Sequence, residues 1–398
     1  MHALEGIRVV DLTQAEFGPR STMILADLGA DVIKIEPKQG EYTRPLTRDY
    51  DTEGINAYFL AHNRNKRGIA LDYTTEKGRE IVYKLVERAD VFATTYGPGV
   101  VERHGFGYED LSKINPRLIY VQGSGYGPKG PAKDWRGYDI ATQGWSGLLH
   151  QNGFGNPEIP MGTAVVDQAG GLALAVGTLA ALYAREHTGK GQMVSASLLQ
   201  TAVHLLAMEY TSYLLSGKEP PRGGRGHAMV RGLYYTFNTK DGALVLAGVR
   251  NEPWEDMCKV LGLEELVDDP RFATTDDRED HRPELVSILD KVFVTKTTEE
   301  WLPLLQQAGA VVAPVLSMKE AFAHPLFTEQ VEANDMIVEL EYPDGTKAKT
   351  PGPVVHLSET PCTIRRPGYK IGEHNHEVLL ELGYTWEDIA QLITDEVL

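Results

Sequence analysis

Short apolar runs and amphipathic stretches alternate along the first half of the chain. IRVVDL reads as a buried, β-branched strand, FGPRSTMILADLGA as a helix closed by Gly29, and DVIKIEP as a second strand stopped by Pro37. Strand, short helix and strand at this spacing form a βαβ unit, which requires parallel pairing through a right-handed crossover. The pattern continues with RGIALDY as a strand, TTEKGREIVYKLVERAD as an amphipathic helix opened by threonine, VFATT as a strand, YEDLSKIN as a helix and RLIYVQGSG as a strand. Residues 1 to about 200 are expected to build a Rossmann-like domain, an open and mostly parallel sheet with helices on both faces. The segment SGKEPPRGGRGHAMVRG, rich in Pro, Gly and Arg, then breaks the pattern and reads as a linker. Beyond it GLYYTFNTKDGALVLAG predicts a hairpin turning at Asp241-Gly242, followed by helices in WEDMCKVLGL, HRPELVSILDKVF and TEEWLPLLQQAG. The expected organisation is a large-domain part over 1–215, a linker over 216–232, a smaller α/β domain over 233–318, and a return segment over 319–398. That last segment holds strand-like MIVELEYPDGTKAKT and a helix around HNHEVLLELG, and is expected to pack back on the large domain.

Composition narrows the classes of function. The chain has 398 residues and a net charge of −17, so its field repels nucleic acid and anionic membrane, while a local basic pocket for one anionic ligand stays open. It has two cysteines, Cys258 and Cys362, and no CxxC, which argues against a disulfide framework or structural zinc and favours a reducing cytoplasm. MHALEGIRVVDLT lacks the basic and apolar regions of a signal peptide. The apolar run from Leu172 to Tyr183 is shorter than the ~20 residues a bilayer requires, so a buried helix is expected there. DLTQAEFG after the first strand is not GxGxxG, and neither GxxxxGK[ST] nor GxSxG occurs, so nucleotide and serine-hydrolase chemistry are both disfavoured.

Two groups of residues invite a chemical reading. Asp167 stands in VVDQAGG at the mouth of an apolar helix. There it can be an N-cap, or a carboxylate that the positive helix end keeps ionised and nucleophilic. Gly170 and Gly171 cost the helix about 1 kcal/mol each relative to alanine, which implies close approach by a ligand, another helix or a facing subunit. The second group is basic: Lys34, Lys38, Arg44, Arg64, Lys66, Arg67 and Arg103 fall near expected strand ends. They suit a phosphorylated ligand if they converge and are ordinary solvated charge if they do not. His104, His150 and His227 read as structural.

LEGIRVVDLTQ…GPRSTMILADLGADVIKIEP, NRNKRGIALD, PGVVERHGFGYEDL, NPRLIYVQGSGYGPKGP, GYDIATQGWSGLL and VVDQAGG…REHTGKGQ, in that order, resemble the class III CoA-transferases, the formyl-CoA transferase and carnitine CoA-transferase family. The resemblance extends through PVLSMKEAFAHPLF and GEHNHEVLLELGY. It implies that Asp167 attacks an acyl-CoA thioester to give an aspartyl anhydride and CoA thiolate, and that thiolate then forms an aspartyl-CoA thioester which an acceptor acid resolves. It also implies that Gln14 and Ala15 lie beside the thioester, that Lys38, Lys66 and Arg103 contact CoA phosphates or adenosine, and that Tyr126 borders the acyl pocket. Coenzyme A and its thioesters enter as substrates, with no tightly bound cofactor and no metal, and the chains form an interlocked homodimer. TTYGPGV puts Thr95 and Gly97 where many relatives have an amide and a guanidinium, and Leu46 stands where the oxalate enzymes have tryptophan. AGVRNEPW (247–254) is the expected counterpart of the loop over the active site. The rival reading is an α-methylacyl-CoA racemase, which needs an acid–base pair. Tyr138 occupies the position of its histidine, and a phenol near pKa ~10 is a poor base. A non-catalytic acyl-CoA-binding protein is the third reading, disfavoured by the presence of Asp167. Arg225, Arg231 and Arg250 are candidates for the second carboxylate of a dicarboxylic acceptor.

Overall fold

The apolar runs of the first half become strands covered on both faces. A computed structural model describes residues 1–46, 56–249 and 254–398, and in it the chain forms two compact units. The first comprises Met1–Ser146, Gly162–Leu205 and Gln330–Leu398, the second Gly147–Met161 and Leu206–Glu329.

The first unit holds β1 (Arg8–Leu12), α1 (Phe17–Asp27), β2 (Asp31–Glu36), α2 (Ala57–Asn63), β3 (Lys66–Ala70), α3 (Glu76–Glu87), β4 (Val91–Thr94), α4 (Val100–Arg103), α5 (Tyr108–Ile114), β5 (Ile119–Ser124) and α6 (Asp139–Ser146). The short α7 (Leu148–Gln151) lies in the second unit; α8 (Val165–Thr188), β6 (Gln192–Ser197) and α9 (Leu198–Leu205) return to the first. The sheet runs β3-β2-β1-β4-β5-β6 and every pair is parallel, with Val10 opposite Ile33 on one side and Phe92 on the other. Chain direction across the sheet reverses between β1 and β4. The loops leaving the carboxyl ends of these two strands therefore diverge and open a crevice. Val10, Leu12, Ile33, Phe92 and Tyr120 pack in one core cluster with Val378, Leu379 and Ile389, which come from α17 (Asn375–Glu381) and α18 (Trp386–Thr394).

Local chemistry explains the helix boundaries. The threonine expected at the start of α3 is Thr75, whose side chain accepts from the Gly78 amide. Helix α8 runs for 24 residues, long and apolar enough to cross a membrane and twice the apolar run read from the sequence. Small residues extend it: Gly170, Gly171, Ala175 and Thr178 are buried on one side, whereas Val176 and Tyr183 are exposed.

In the second unit α10 (Ala207–Ser216) precedes the expected hairpin, β7 (Leu233–Asn238) and β8 (Ala243–Val249), closed by the Thr239 amide on the Gly242 carbonyl at 3.0 Å. An unforeseen strand, β9 (Val311–Pro314), completes a three-stranded antiparallel sheet. Helices α11 (Trp254–Leu261), α12 (Thr275–Asp280), α13 (Arg282–Phe293) and α14 (Thr298–Gln307) follow the hairpin, then α15 (Met318–Ala323) and α16 (Pro325–Ala333). The core holds Trp254, Met257, Leu285, Phe293 and Trp301. The 216–232 segment lies wholly inside this unit, where Gly223 N donates to Gln151 O at 3.0 Å and Thr236 N to Arg225 O at 2.9 Å. Its glycines allow backbone hydrogen bonding, and the chain changes units at 146/147, 161/162, 205/206 and 329/330. The strand-like stretch of the return segment is the hairpin β10 (Ile337–Glu341) with β11 (Lys347–Pro351).

Candidate active site

A cleft of about 470 Å³ opens at the carboxyl ends of β1, β4 and β5. Gln14 and Ala15 line it after β1, Thr95 to Pro98 after β4, and Ser124 and Gly125 at the end of β5; Tyr42, Trp135 to Tyr138 and Asp167 complete it. This is the crevice that the reversed strand order creates.

A buried charge network fixes the first wall. Asp11 Oδ1 accepts from Thr13 N at 3.0 Å and Thr13 Oγ1 at 2.5 Å, while Oδ2 accepts from Thr22 Oγ1 at 2.6 Å and pairs with Lys66 Nζ at 3.0 Å. Lys34 Nζ donates to the Thr13 carbonyl at 2.7 Å and pairs with Glu41 at 2.9 Å. One buried ammonium thus ties the turn bearing Gln14 and Ala15 to the segment bearing Tyr42. Burial alone would raise the Asp11 carboxyl, but Lys66, Lys34 and the two threonine hydroxyls outweigh it and hold the group at about 2. The turn is strained: Ala15 has φ +64°, a left-handed conformation that costs an alanine roughly 1–2 kcal/mol. Gln14 N donates to Thr95 Oγ1 at 3.0 Å, and its side-chain amide donates to the Tyr96 hydroxyl, which fastens the same turn to the β4 loop.

The second wall is the start of α8. Asp167 is its third residue and not its cap, which is Ala164 with no side-chain bond. The capping acid is Asp139, at the start of α6: its Oδ2 accepts from Val166 N at 2.7 Å and Asp167 N at 3.1 Å. The Asp167 carboxyl is left to face the cleft. The expectation that its position keeps it ionised is corrected. Burial, then Glu16, then Asp139 push it up to about 7, because a desolvated carboxylate between two others resists charge. The glycines behind it serve a neighbouring helix. A Cβ on Gly170 would lie 2.6 Å from the Phe17 ring, and one on Gly171 3.0 Å from the Phe17 carbonyl oxygen, so both are needed for α8 to close on α1.

Of the residues expected at the site, Gln14, Ala15 and Asp167 share the cleft. Tyr126 stands one ring away, edge-on to Trp135 at 5.8 Å. The basic set does not converge. Lys66 is 0% exposed, and its ammonium is consumed by Asp11, the Pro19 carbonyl and Asn63, which leaves it no face for a phosphate. Arg44 forks onto Glu36, Arg64 onto Asp27, and Arg67 onto Asp31, Glu377 and Glu381. Lys38 donates to the Glu396 carbonyl at 2.5 Å, and Arg103 is exposed on α4. Arg225 and Arg231 pair with Asp290 and Asp276. Arg250 and residues 251–253 of the expected loop lie outside the described residues. Sequence reasoning missed Glu16, Asp139, Tyr42 and Arg136. Asp139 stands in the GYDIATQ block that carries the resemblance, but nothing in the sequence tied it to a second helix. Tyr42, about half exposed, is pushed up to about 12 by partial desolvation and by the Tyr138 phenol, with which it hydrogen-bonds.

The sequence profile of CoA-transferase family III matches residues 4–375. The chain belongs to this family. The transferase is 38% identical over 403 residues to a Mus musculus protein named succinyl-CoA:glutarate CoA-transferase, covering 100% of this chain and 91% of that protein. It is 32% identical over 415 residues to a formyl-CoA:oxalate CoA-transferase of Streptomyces avermitilis, covering 100% and 99%. Its fold superposes on a CAIB/BAIF family protein from Brucella suis with a TM-score of 0.85 at 33% identity, covering 96% and 100% of the two chains. The α/β fold with its parallel sheet is that of the family, and the enzyme is a CoA-transferase acting on CoA thioesters and carboxylic acids.

Proposed function

We propose that the transferase works through a covalent relay on Asp167. Its carboxylate oxygen attacks the donor thioester carbon; the C–S bond breaks, and CoA leaves as thiolate with the electron pair. The thiolate attacks the aspartyl carbonyl of the resulting anhydride, expelling the donor acid and leaving an aspartyl-CoA thioester. The acceptor carboxylate displaces CoA from this thioester to form a second anhydride. Returning thiolate then takes the acceptor acyl group and restores Asp167. No external proton or oxidant is required. The observation that carries this reading is Asp167 itself: relieved of capping by Asp139, it is the carboxyl that faces the cleft at the start of α8. Gln14 and Ala15 are assigned to the side of the thioester, and Tyr42 with Tyr138 to the acyl side.

No tightly bound cofactor is needed for this relay. We assign CoA contacts to Arg103 and Arg136 at exposed positions and to the half-buried Lys38, and a homodimeric, cytoplasmic enzyme. Dicarboxylic acids are the first acceptors to test, given the name of the mouse relative. A racemase would need a base in the position of Tyr138, whose hydroxyl is instead engaged with that of Tyr42.

Asp167→Asn should fold and lose transfer altogether, since a neutral amide cannot form the anhydride. Wild-type protein incubated with succinyl-CoA and hydroxylamine should carry a hydroxamate on the Asp167 peptide, detected by mass spectrometry. A hydroxamate on another acid, or persistent transfer by Asp167→Asn, would overturn the assignment.

A further inference from the structure

Helices α1 and α2 bring a second acid against Asp167. Glu16, the residue before α1, is buried, and its Oε1 lies 3.5 Å from Nε2 of His62 in α2. The same oxygen accepts from the side-chain amide of Gln168, the neighbour of Asp167. The other ring nitrogen of His62, Nδ1, lies 2.9 Å from the Tyr58 carbonyl oxygen. A carbonyl only accepts, so Nδ1 carries a hydrogen. In a neutral ring this leaves a lone pair on Nε2, 3.5 Å from a carboxylate oxygen, a repulsive contact. It becomes attractive only when one more proton sits on the pair, on Nε2 or on Glu16. With side chains 7% and 10% exposed, water does not relieve that requirement.

Among the described residues the charges around these groups are few. Asp167 faces Glu16 from the α1 side and Asp139 from α6, with the phenols of Tyr42 and Tyr58 alongside. Glu16 in turn faces His62, Gln168, Tyr58 and Arg20, one turn along α1. With its shared proton the Glu16–His62 pair carries no net charge, but its negative end, Glu16, is the one that faces Asp167. Without it, a bare carboxylate opposes the ionisation of Asp167.

We infer that Glu16 and His62 hold one proton between them and act together as a positioning device that sets the charge on Asp167. The kinetic consequence rests on the reading of Asp167 as nucleophile; the electrostatic one does not. The test is an infrared titration of the Asp167 carboxyl in protein labelled with 13C-aspartate, the band being assigned by its loss in Asp167→Asn. Glu16→Gln removes a negative neighbour and should lower the midpoint by about one pH unit, giving roughly tenfold more carboxylate at acid pH. His62→Leu strands Glu16 as an anion and should move the midpoint upward. His62→Gln, which keeps a donor to Glu16 but loses the positive charge, should move it upward by less and serves if the leucine variant does not fold. The acid limb of kcat/KM should shift with the midpoint in each variant. A role in packing alone would lower stability without opposite shifts. Midpoints that stay put, or that move the same way in folded Glu16 and His62 variants, would overturn the inference. Midpoints that shift as expected while kcat/KM does not follow would uphold the pair and remove Asp167 from the chemistry.

Discussion

Two aspartates within the first unit, Asp11 fully buried and Asp167 half-buried, are held in opposite electrostatic states. Asp11 at the end of β1 sits between Lys34 and Lys66, with Thr13 and Thr22 donating to it, and stays at about 2. Asp167 at the start of α8 sits between Glu16 and Asp139 and rises to about 7. Both are desolvated; what differs is the company. Around Asp11 the carboxylates of Asp11 and Glu41 match two lysines one for one, so the cluster is a fastening. Asp167 faces two further carboxyls, and the compensating groups, His62 and Arg20, act on Glu16 and not on Asp167 itself, so the cluster is poised to change charge. Structural networks balance their charge, whereas a site that does chemistry keeps an imbalance that a substrate or a proton can complete.

The comparison is broken most severely by unbalancing the first cluster. Lys66→Met leaves Asp11 buried beside a single lysine, and losing one partner of such a pair costs about 3–5 kcal/mol. Chemical denaturation should show that loss, with the KM for acyl-CoA unchanged in the fraction that remains folded. A raised KM without loss of stability would return Lys66 to a phosphate-binding role.

Stability should also respond to pH with opposite signs at the two aspartates. A depressed pKa favours the folded state above the unfolded value, so the Asp11 contribution, roughly 2–3 kcal/mol, is lost as pH falls from about 4 to about 2. A raised pKa works the other way: the folded protein binds the extra proton, and Asp167 becomes progressively more destabilising as pH rises from about 4 to about 7. Asp167→Asn should therefore be more stable than wild type by about 1–3 kcal/mol at pH 8 and nearly equal to it at pH 4. Melting temperatures at the two pH values check this; a constant difference would show that Asp167 is ionised throughout.

Much of this frame is legible in the sequence, for a physical reason. Strands such as VVDL and VIKIE are buried on both faces and therefore nearly continuous in apolar residues, and the periods of helix and strand are local properties. Ion pairing is not local. Lys66 finds Asp11 across 55 positions of chain, and Asp139 caps a helix that begins 26 residues later, so neither partnership leaves a mark on spacing. The same limit hid Glu16, whose neighbours His62 and Gln168 come from different helices. Gly170 and Gly171 were visible as a demand for close approach, but only the position of Phe17 shows that a helix supplies it.

Asp139 offers a milder separation of the two roles a carboxylate can play near Asp167. Asp139→Ala removes two capping bonds from α8 and should cost about 1 kcal/mol, while Asp139→Asn keeps an acceptor and should cost little. Both remove a negative charge and should lower the acid limb of the transfer rate alike. If only the alanine variant shifts that limb, Asp139 acts on Asp167 through helix geometry and not through charge.

The smallest effect is expected where the two clusters meet, at the turn between β1 and α1. Ala15 is held at φ +64° because Asp11 and Lys34 fix Thr13 on one side and Thr95 fixes Gln14 on the other. Glycine adopts that conformation freely, so Ala15→Gly relieves roughly 1–2 kcal/mol of strain but gives back about 0.5–1 kcal/mol in the entropy of the unfolded chain. The net should lie between zero and a gain of about 1.5 kcal/mol, read as a slightly higher denaturation midpoint. Because the neighbouring bonds, and not the alanine, define the turn, kcat should change less than twofold. A large fall in kcat with stability preserved would mean that the Ala15 methyl itself shapes the cleft, and that the balanced cluster fixes the strand end without controlling the wall of the site.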